Sequence, residues 1–184
     1  FSEFSKKFNF SIELTNKYSK NTIIRSPMGV VGCISPWNLP LYLFSWKIAP
    51  ALIMGNTVIA KPSEITPFTA FKFSELCQKI GLPPGVLNIV HGNGVQTGEA
   101  IVAHRRIKAI SFTGGTNTGK KIAQKAIGSF KKLALEMGGK NPAIIFSDCN
   151  YDNMIHNNYL FEVTQATITN NVDNSTKNID INLN

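Results

Sequence analysis

The chain is most constrained by a rhythm between residue 27 and about residue 154. Short apolar runs rich in β-branched residues alternate there with segments of helical periodicity. Met28 to Ser35 (MGVVGCIS), Thr57 to Ala60 (TVIA), Val86 to Val90 and Ile107 to Phe112 read as strands. Leu41 to Met54 repeats apolar residues at helical spacing, with Pro50 as a kink or boundary. Thr66 to Ile80 starts on a hydroxyl and stops at Gly81-Leu82-Pro83-Pro84-Gly85, the usual helix signals. Gly98 to His104 and Asn117 to Ile127 read as further helices, and Leu133 to Leu135 and Pro142 to Phe146 as extended segments. This alternation predicts an α/β fold: a largely parallel sheet with helices on both faces. Such sheets bind ligands at the carboxyl ends of their strands.

Two flanks differ from this region. Residues 1–26 are polar and aromatic, with alternation in Phe8-Asn9-Phe10-Ser11-Ile12-Glu13-Leu14 that suggests an edge strand or hairpin arm. Residues 155–184 drift in composition. Six of the last fifteen residues are Asn, too little apolar surface to offset the entropy of ordering, so a disordered tail is expected. With 184 residues and 43% hydrophobic content, the whole fits one domain plus flanks.

The net charge of +8 admits nucleic acid, a membrane surface or a phosphate-bearing small molecule as partner. The basic residues read as spread along the chain, without interleaved aromatics or a nucleic-acid signature, so a solvated surface and no nucleic-acid partner are expected. The apolar run Leu41 to Gly55 is broken by Lys47 and Pro50 and falls short of a membrane span. Cys33, Cys77 and Cys149 form no metal or redox spacing, which points to a reducing, cytoplasmic setting without a metal. Asn9-Phe-Ser and Asn174-Ser-Thr match the glycosylation pattern by chance.

Several segments carry chemistry. His91-Gly-Asn-Gly-Val-Gln-Thr-Gly98 resembles the dinucleotide fingerprint, but its third glycine comes one residue late, so a plain turn is equally open. Gly114-Gly-Thr-Asn-Thr-Gly-Lys-Lys121 approaches a P-loop, yet Lys121 stands where a metal-binding hydroxyl belongs. Its amides at a helix start still suit a phosphate. In Pro36-Trp37-Asn38-Leu39-Pro40, Asn38 is either an oxyanion donor or a helix N-cap, and spacing alone favours the cap. Lys61 and Glu64, three residues apart at a strand end, could grip a ribose or form a surface ion pair. Glu136 ends an apolar run before two glycines. Buried, it could serve as a general base; otherwise it is a charge emerging from a strand.

Taken in order, Ile34-Ser-Pro-Trp-Asn38, Gly55-Asn-Thr-Val-Ile-Ala-Lys-Pro-Ser-Glu64, Gly81-Leu-Pro-Pro-Gly-Val-Leu-Asn88, Ser111-Phe-Thr-Gly114 and Leu135-Glu-Met-Gly-Gly-Lys-Asn-Pro142 resemble the NAD(P)-dependent aldehyde dehydrogenase superfamily. The resemblance runs from about Ile23 to about Met154. ISPWNLPLYLFSWKIAPAL and GGKNPAIIF look closest to its 2-aminomuconic semialdehyde dehydrogenase branch.

The resemblance implies a truncated Rossmann-like coenzyme domain over 27–154 and a partial oligomerisation arm over 1–26, in a homo-oligomeric family. It implies NAD as cofactor and an aldehyde (semialdehyde) as substrate. Asn38 would hold the oxyanion and Glu136 would activate water. Lys61 and Glu64 would contact the adenosine ribose, and the carboxylate would favour NAD over NADP. Ile34, Ser35, Trp37, Asn38, Ser63, Gly94, Gly98, Phe112, Thr113, Gly114, Gly115 and Met137 would complete the coenzyme contacts. Many members carry Ser at the position of Gly115, so one hydroxyl contact would be lost here. The family's nucleophile is a Cys in a Gly-Gln-x-Cys segment downstream of the Glu. Here Thr164-Gln-Ala-Thr-Ile-Thr-Asn-Asn171 holds no Cys, Cys149 is too close to Glu136, and Cys33 and Cys77 read as core residues. The expectation is a fragment that is inactive alone, or a non-catalytic dinucleotide-binding or interaction module.

Overall fold

The computed structural model describes residues 1–139, 148–150, 165–169 and 176–180. Residues 1–138 form one compact unit and residues 139–184 a second. The extended segment expected at 142–146 lies outside the described residues.

The first unit is built on five parallel strands: β3 Val30–Ile34, β4 Thr57–Lys61, β5 Leu87–Ile89, β6 Ile107–Gly114 and β7 Lys132–Met137. Their spatial order is β5-β4-β3-β6-β7. Alternate residues of each strand enter opposite cores. On one face Val31, Cys33, Val58 and Ala60 meet Phe44 and Ile48 of helix α2 (Pro40–Ile53) and Ala70 of α3 (Phe68–Lys79). On the other, Ile34, Ile107, Ile110 and Phe112 meet Ile101 and Val102 of α4 (Glu99–Ala103) and Ile122 and Ala126 of α5 (Thr116–Ile127). Phe44 and Ile48 are each 1% exposed, and burying either side chain stabilises the fold by roughly 2 kcal/mol.

Local choices agree with this plan. Asn56 staples the start of β3 to the end of α2: its Oδ1 accepts from the backbone N–H of Met28 and Gly29, and its Nδ2 donates to the Ala51 carbonyl. α2 runs through Pro50 to Ile53, with the Trp46 carbonyl left without the N–H that Pro50 lacks. Lys131 is buried at the start of β7. Its Nζ donates at 2.7 Å to the carbonyls of both His104 and Ile107, closing the exit of α4.

The N-terminal arm precedes the sheet. β1 (Ser11–Thr15) and β2 (Lys20–Ile24) pair antiparallel, as the alternation suggested. Asn16 Oδ1 accepts from the backbone N–H of Tyr18 and Ser19 and sets the turn. Helix α1 (Ser2–Lys7) went unread in the sequence, since six residues with no buried side chain leave no periodic pattern. In the second unit, β8 (Gln165–Thr169) and β9 (Thr176–Asp180) pair antiparallel. These ten residues therefore form strands where the Asn-rich composition suggested disorder, and their Thr and Ile content is the local reason.

Gly32 lies between β4 and β6 with no room for a side chain. An added Cβ would stand 2.6 Å from Ile101 Cγ2 and 2.8 Å from Ile110 Cδ1. Gly32→Ala is expected to lower stability by about 1–3 kcal/mol in urea unfolding. Burial pushes the Cys33 thiol up to about 12. It should resist alkylation at neutral pH while the chain is folded and react once it is unfolded. The sign follows from the raised folded value: an unfolded thiol ionises near 9.0, so stability is full below that pH and falls as pH climbs toward 12. A pH series of melts monitored by circular dichroism checks it.

Candidate functional site

Strand order reverses between β3 and β6. From β3 the chain builds outward to β4 and β5, then returns to lay β6 on the opposite side. The carboxyl ends of β3 and β6 therefore diverge into a crevice. Backbone register lines the motif residues along it. Lys61, Ile34, Phe112 and Leu135 pair in one row across four strands, followed by Thr113 beside Glu136 and Gly114 beside Met137.

At the β4 end, Lys61 is 2% exposed. Its Nζ donates to the Pro62 carbonyl at 3.1 Å and to Glu64 Oε2 at 3.0 Å. The aliphatic stem passes under buried Gly98, whose added Cβ would meet Lys61 Cδ at 3.8 Å. The Glu64 side chain is half exposed, so a carboxylate presents itself to solvent from a buried cationic base. Its carboxyl is held below the ordinary value first by its own backbone N–H and then by Lys61, with a smaller contribution from the Gly94 N–H. With Lys61 buried and Glu64 half exposed, the pair is only partly the surface ion pair that spacing also allowed.

The late third glycine has a structural cause. Gly94–Gly98 forms a π-helical turn leading into α4, wider than the turn a standard fingerprint makes. Asn93 Oδ1 accepts from the Gln96 N–H at 2.8 Å to start it. Gly92, at φ 143, can carry no side chain there, because an added Cβ would overlap Thr97 Oγ1. Gly92 is the first glycine of that fingerprint, whereas Asn93 did not stand out in the sequence.

At the crevice centre, Ser35 is 5% exposed and its Oγ has no partner among the described residues. The Thr113 hydroxyl is likewise buried and unpartnered. Such orphan groups are costly unless something else meets them. Gly115 is the N-cap of α5, with no side-chain cap and open space where a Cβ would stand, leaving the first amides of a twelve-residue helix clear. Gly119 is not part of an anion cradle. It is buried, and an added Cβ would overlap Met137 Sδ, so that glycine answers a packing demand.

Other motif residues fall differently. Ile34 and Phe112 belong to the core and can offer a ligand only backbone. Ser63 Oγ accepts from the Ile65 N–H within its own turn. Asn38 is exposed and is not the cap that spacing favoured: Leu39 takes that position, followed by Pro40 at N1, which needs no donor acceptor match. Trp37 beside it is 59% exposed. Glu136 is exposed and not buried, because β7 is the edge strand of the sheet.

Lys47 escaped the sequence reading, though a lone cation inside an apolar helical run was its signal. It is 9% exposed, and its Nζ donates to Ser111 Oγ at 3.4 Å. Burial pushes its ammonium below the ordinary value, while Cys33 and Glu136 draw it back up. Cys33, Ser111 and Ala134 share a register row, so Lys47 stands over the face from which Thr113 and Glu136 also project. No helix among the described residues is long and apolar enough to cross a membrane.

Known proteins resemble this chain in sequence and fold. The chain is 58% identical over 132 residues to 2-aminomuconic semialdehyde dehydrogenase of Homo sapiens, covering 72% of the chain and 27% of that protein. It is 52% identical over 134 residues to betaine aldehyde dehydrogenase of Bacillus subtilis, covering 73% and 27%. The chain thus spans about a quarter of the length of these curated relatives. The crystal structure of betaine aldehyde dehydrogenase from Staphylococcus aureus in complex with NAD+ superposes with a TM-score of 0.79 at 38% identity, over 84% of this chain and 31% of that one. With the pattern of the aldehyde dehydrogenase family also matching residues 2–166, the chain belongs to that family.

Proposed function

We propose that this chain is the coenzyme-binding portion of an NAD-dependent dehydrogenase that oxidises an aldehyde, specifically a semialdehyde, to a carboxylic acid. The observation that carries this reading is the Glu64 carboxylate, offered to solvent above a buried Lys61 at the carboxyl end of the sheet. A carboxylate there accepts hydrogen bonds from a ribose diol and repels a 2′-phosphate. The unpartnered hydroxyls of Ser35 and Thr113 and the open amides after Gly115 fit the polar, phosphate-bearing middle of a dinucleotide. Bound NAD would supply the hydride acceptor.

The chain's own residues divide the remaining work. Lys61 and Glu64 hold the ribose, Gly94 donates its N–H to Glu64, and buried Gly98 leaves room for the Lys61 stem. Asn38 donates its free amide to the oxygen of the reacting aldehyde. Glu136 takes a proton from the attacking water. Trp37 and Met137 flank these groups from the ends of β3 and β7. The exposed Leu14, Ile23 and Ile24 of the hairpin suit contact with a second copy, and three free thiols suit the cytoplasm.

The thiols also favour the second reading, a non-catalytic dinucleotide-binding module. Cys33 is buried and raised to about 12, and burial raises Cys77 as well, so neither supplies a ready thiolate. Calorimetry with the full chain should show NAD binding, with NADP weaker by about tenfold or more, and Glu64→Ser should narrow that gap. A folded chain indifferent to millimolar NAD would overturn the proposal. The chain should reduce no NAD with any aldehyde; turnover lost in Glu136→Gln would show that a nucleophile has been overlooked.

A further inference from the structure

The chain's charge is not spread evenly. Between Glu99 and Glu136 there is no acidic residue, while eight lysines and arginines occur from Arg105 to Lys132. That stretch carries the entire net charge of +8, and the rest of the chain is balanced. The fold then divides it. Arg105, Arg106 and Lys108 lie at the entry to β6, and Lys132 opens β7 in register with Ala109. All four are exposed, and among the described residues none has an acidic partner. They occupy the amino edge of the sheet, opposite the crevice.

Phe130 lies at the same edge, two residues before Lys132. It is 92% exposed, the highest of any large apolar side chain among the described residues, and its backbone is left-handed at φ 50. A bulky residue in that region is strained, and no packing contact explains it. The backbone is nonetheless fixed: the Phe130 N–H donates to the Ile127 carbonyl, and the next residue, Lys131, is anchored at 2.7 Å to the carbonyls of His104 and Ile107. An aromatic ring is thus held out in water on a rigid base, at the same sheet edge as four cations without acidic partners among the described residues.

We infer that the amino edge of β6 and β7 is a docking surface for single-stranded nucleic acid, with Phe130 stacking on a base and Arg105, Arg106, Lys108 and Lys132 meeting phosphates. Aromatic stacking beside a cationic track is the physical basis of such binding. The guanidinium pair adds bidentate contacts to phosphate. An anionic lipid surface fits less well, because it calls for a broad apolar face, and Ile127 and Phe130 alone do not make one. The sequence concealed this edge: residues 105–108 and 130–132 are brought together only by strand pairing.

The test is fluorescence anisotropy of the full chain with a labelled oligouridylate of about 20 nucleotides. Four phosphate contacts predict a log–log salt slope of about −3, or about fifty-fold weaker binding from roughly 50 to 200 mM salt. Arg105→Gln with Arg106→Gln should make the slope shallower by about 1.4. Phe130→Asn, which suits the left-handed backbone and should leave the melt intact or raised, should weaken binding about tenfold. Lys79→Gln, on α3, should change nothing, and NAD should not displace the strand. The inference is overturned by failure to bind at low salt, by equal weakening in Lys79→Gln, by an unaffected Phe130→Asn, by displacement with NAD, or by preference for phosphatidylserine vesicles.

Discussion

The parallel hydrogen-bond ladder is the constraint on which everything else in the first unit rests. Parallel strands run their carboxyl ends out on one edge, and register decides which residues meet there. Lys61, Ile34, Phe112 and Leu135 come from segments up to 101 residues apart, yet the ladder sets them in one row. A slip of one residue on any strand would turn its core residues to the opposite face and take its motif residue out of line. The two apolar cores, each filled from alternate positions, are what forbid that slip.

Buried cations are the second organising element. Lys47, Lys61 and Lys131 are all at or below 9% exposure, and each sits where a helix or loop meets a strand. A buried ammonium is tolerable only with acceptors within reach. Lys131 has two carbonyls and serves architecture. Lys61 has one carbonyl and one carboxylate, so its charge is partly passed to the surface through Glu64. Lys47 has only a hydroxyl at 3.4 Å and is the least satisfied of the three.

Most of the architecture could be read before any coordinates. Strands β3, β4 and β6 are short apolar runs, and β-branched residues at these lengths leave little alternative. The hairpin arm announced itself by alternation. Misreadings arose where local rules compete. Asn38 follows the preference for capping but lies next to a rigid Leu39-Pro40 start that uses a different cap. Glu136 ends an apolar run that left burial and emergence from a strand both open, and the run forms an edge strand whose residues are mostly exposed. Cations at 105–108 and 131–132 look scattered in one dimension.

The sequence by itself determined the alternating plan, the family to which the motifs point and the residue types able to hold a dinucleotide. Those follow from local chemistry: periodicity, turn residues and motif order are written in neighbouring positions. Tertiary structure alone decided that Ser35 and Thr113 carry buried hydroxyls without partners among the described residues, that Lys47 faces Glu136, that Gly119 exists to clear Met137, and that exposed Phe130 shares one sheet edge with the cations of β6 and β7. Each of these depends on strand register and on helices laid across the sheet, and such long-range pairing has no signature in the order of neighbouring residues.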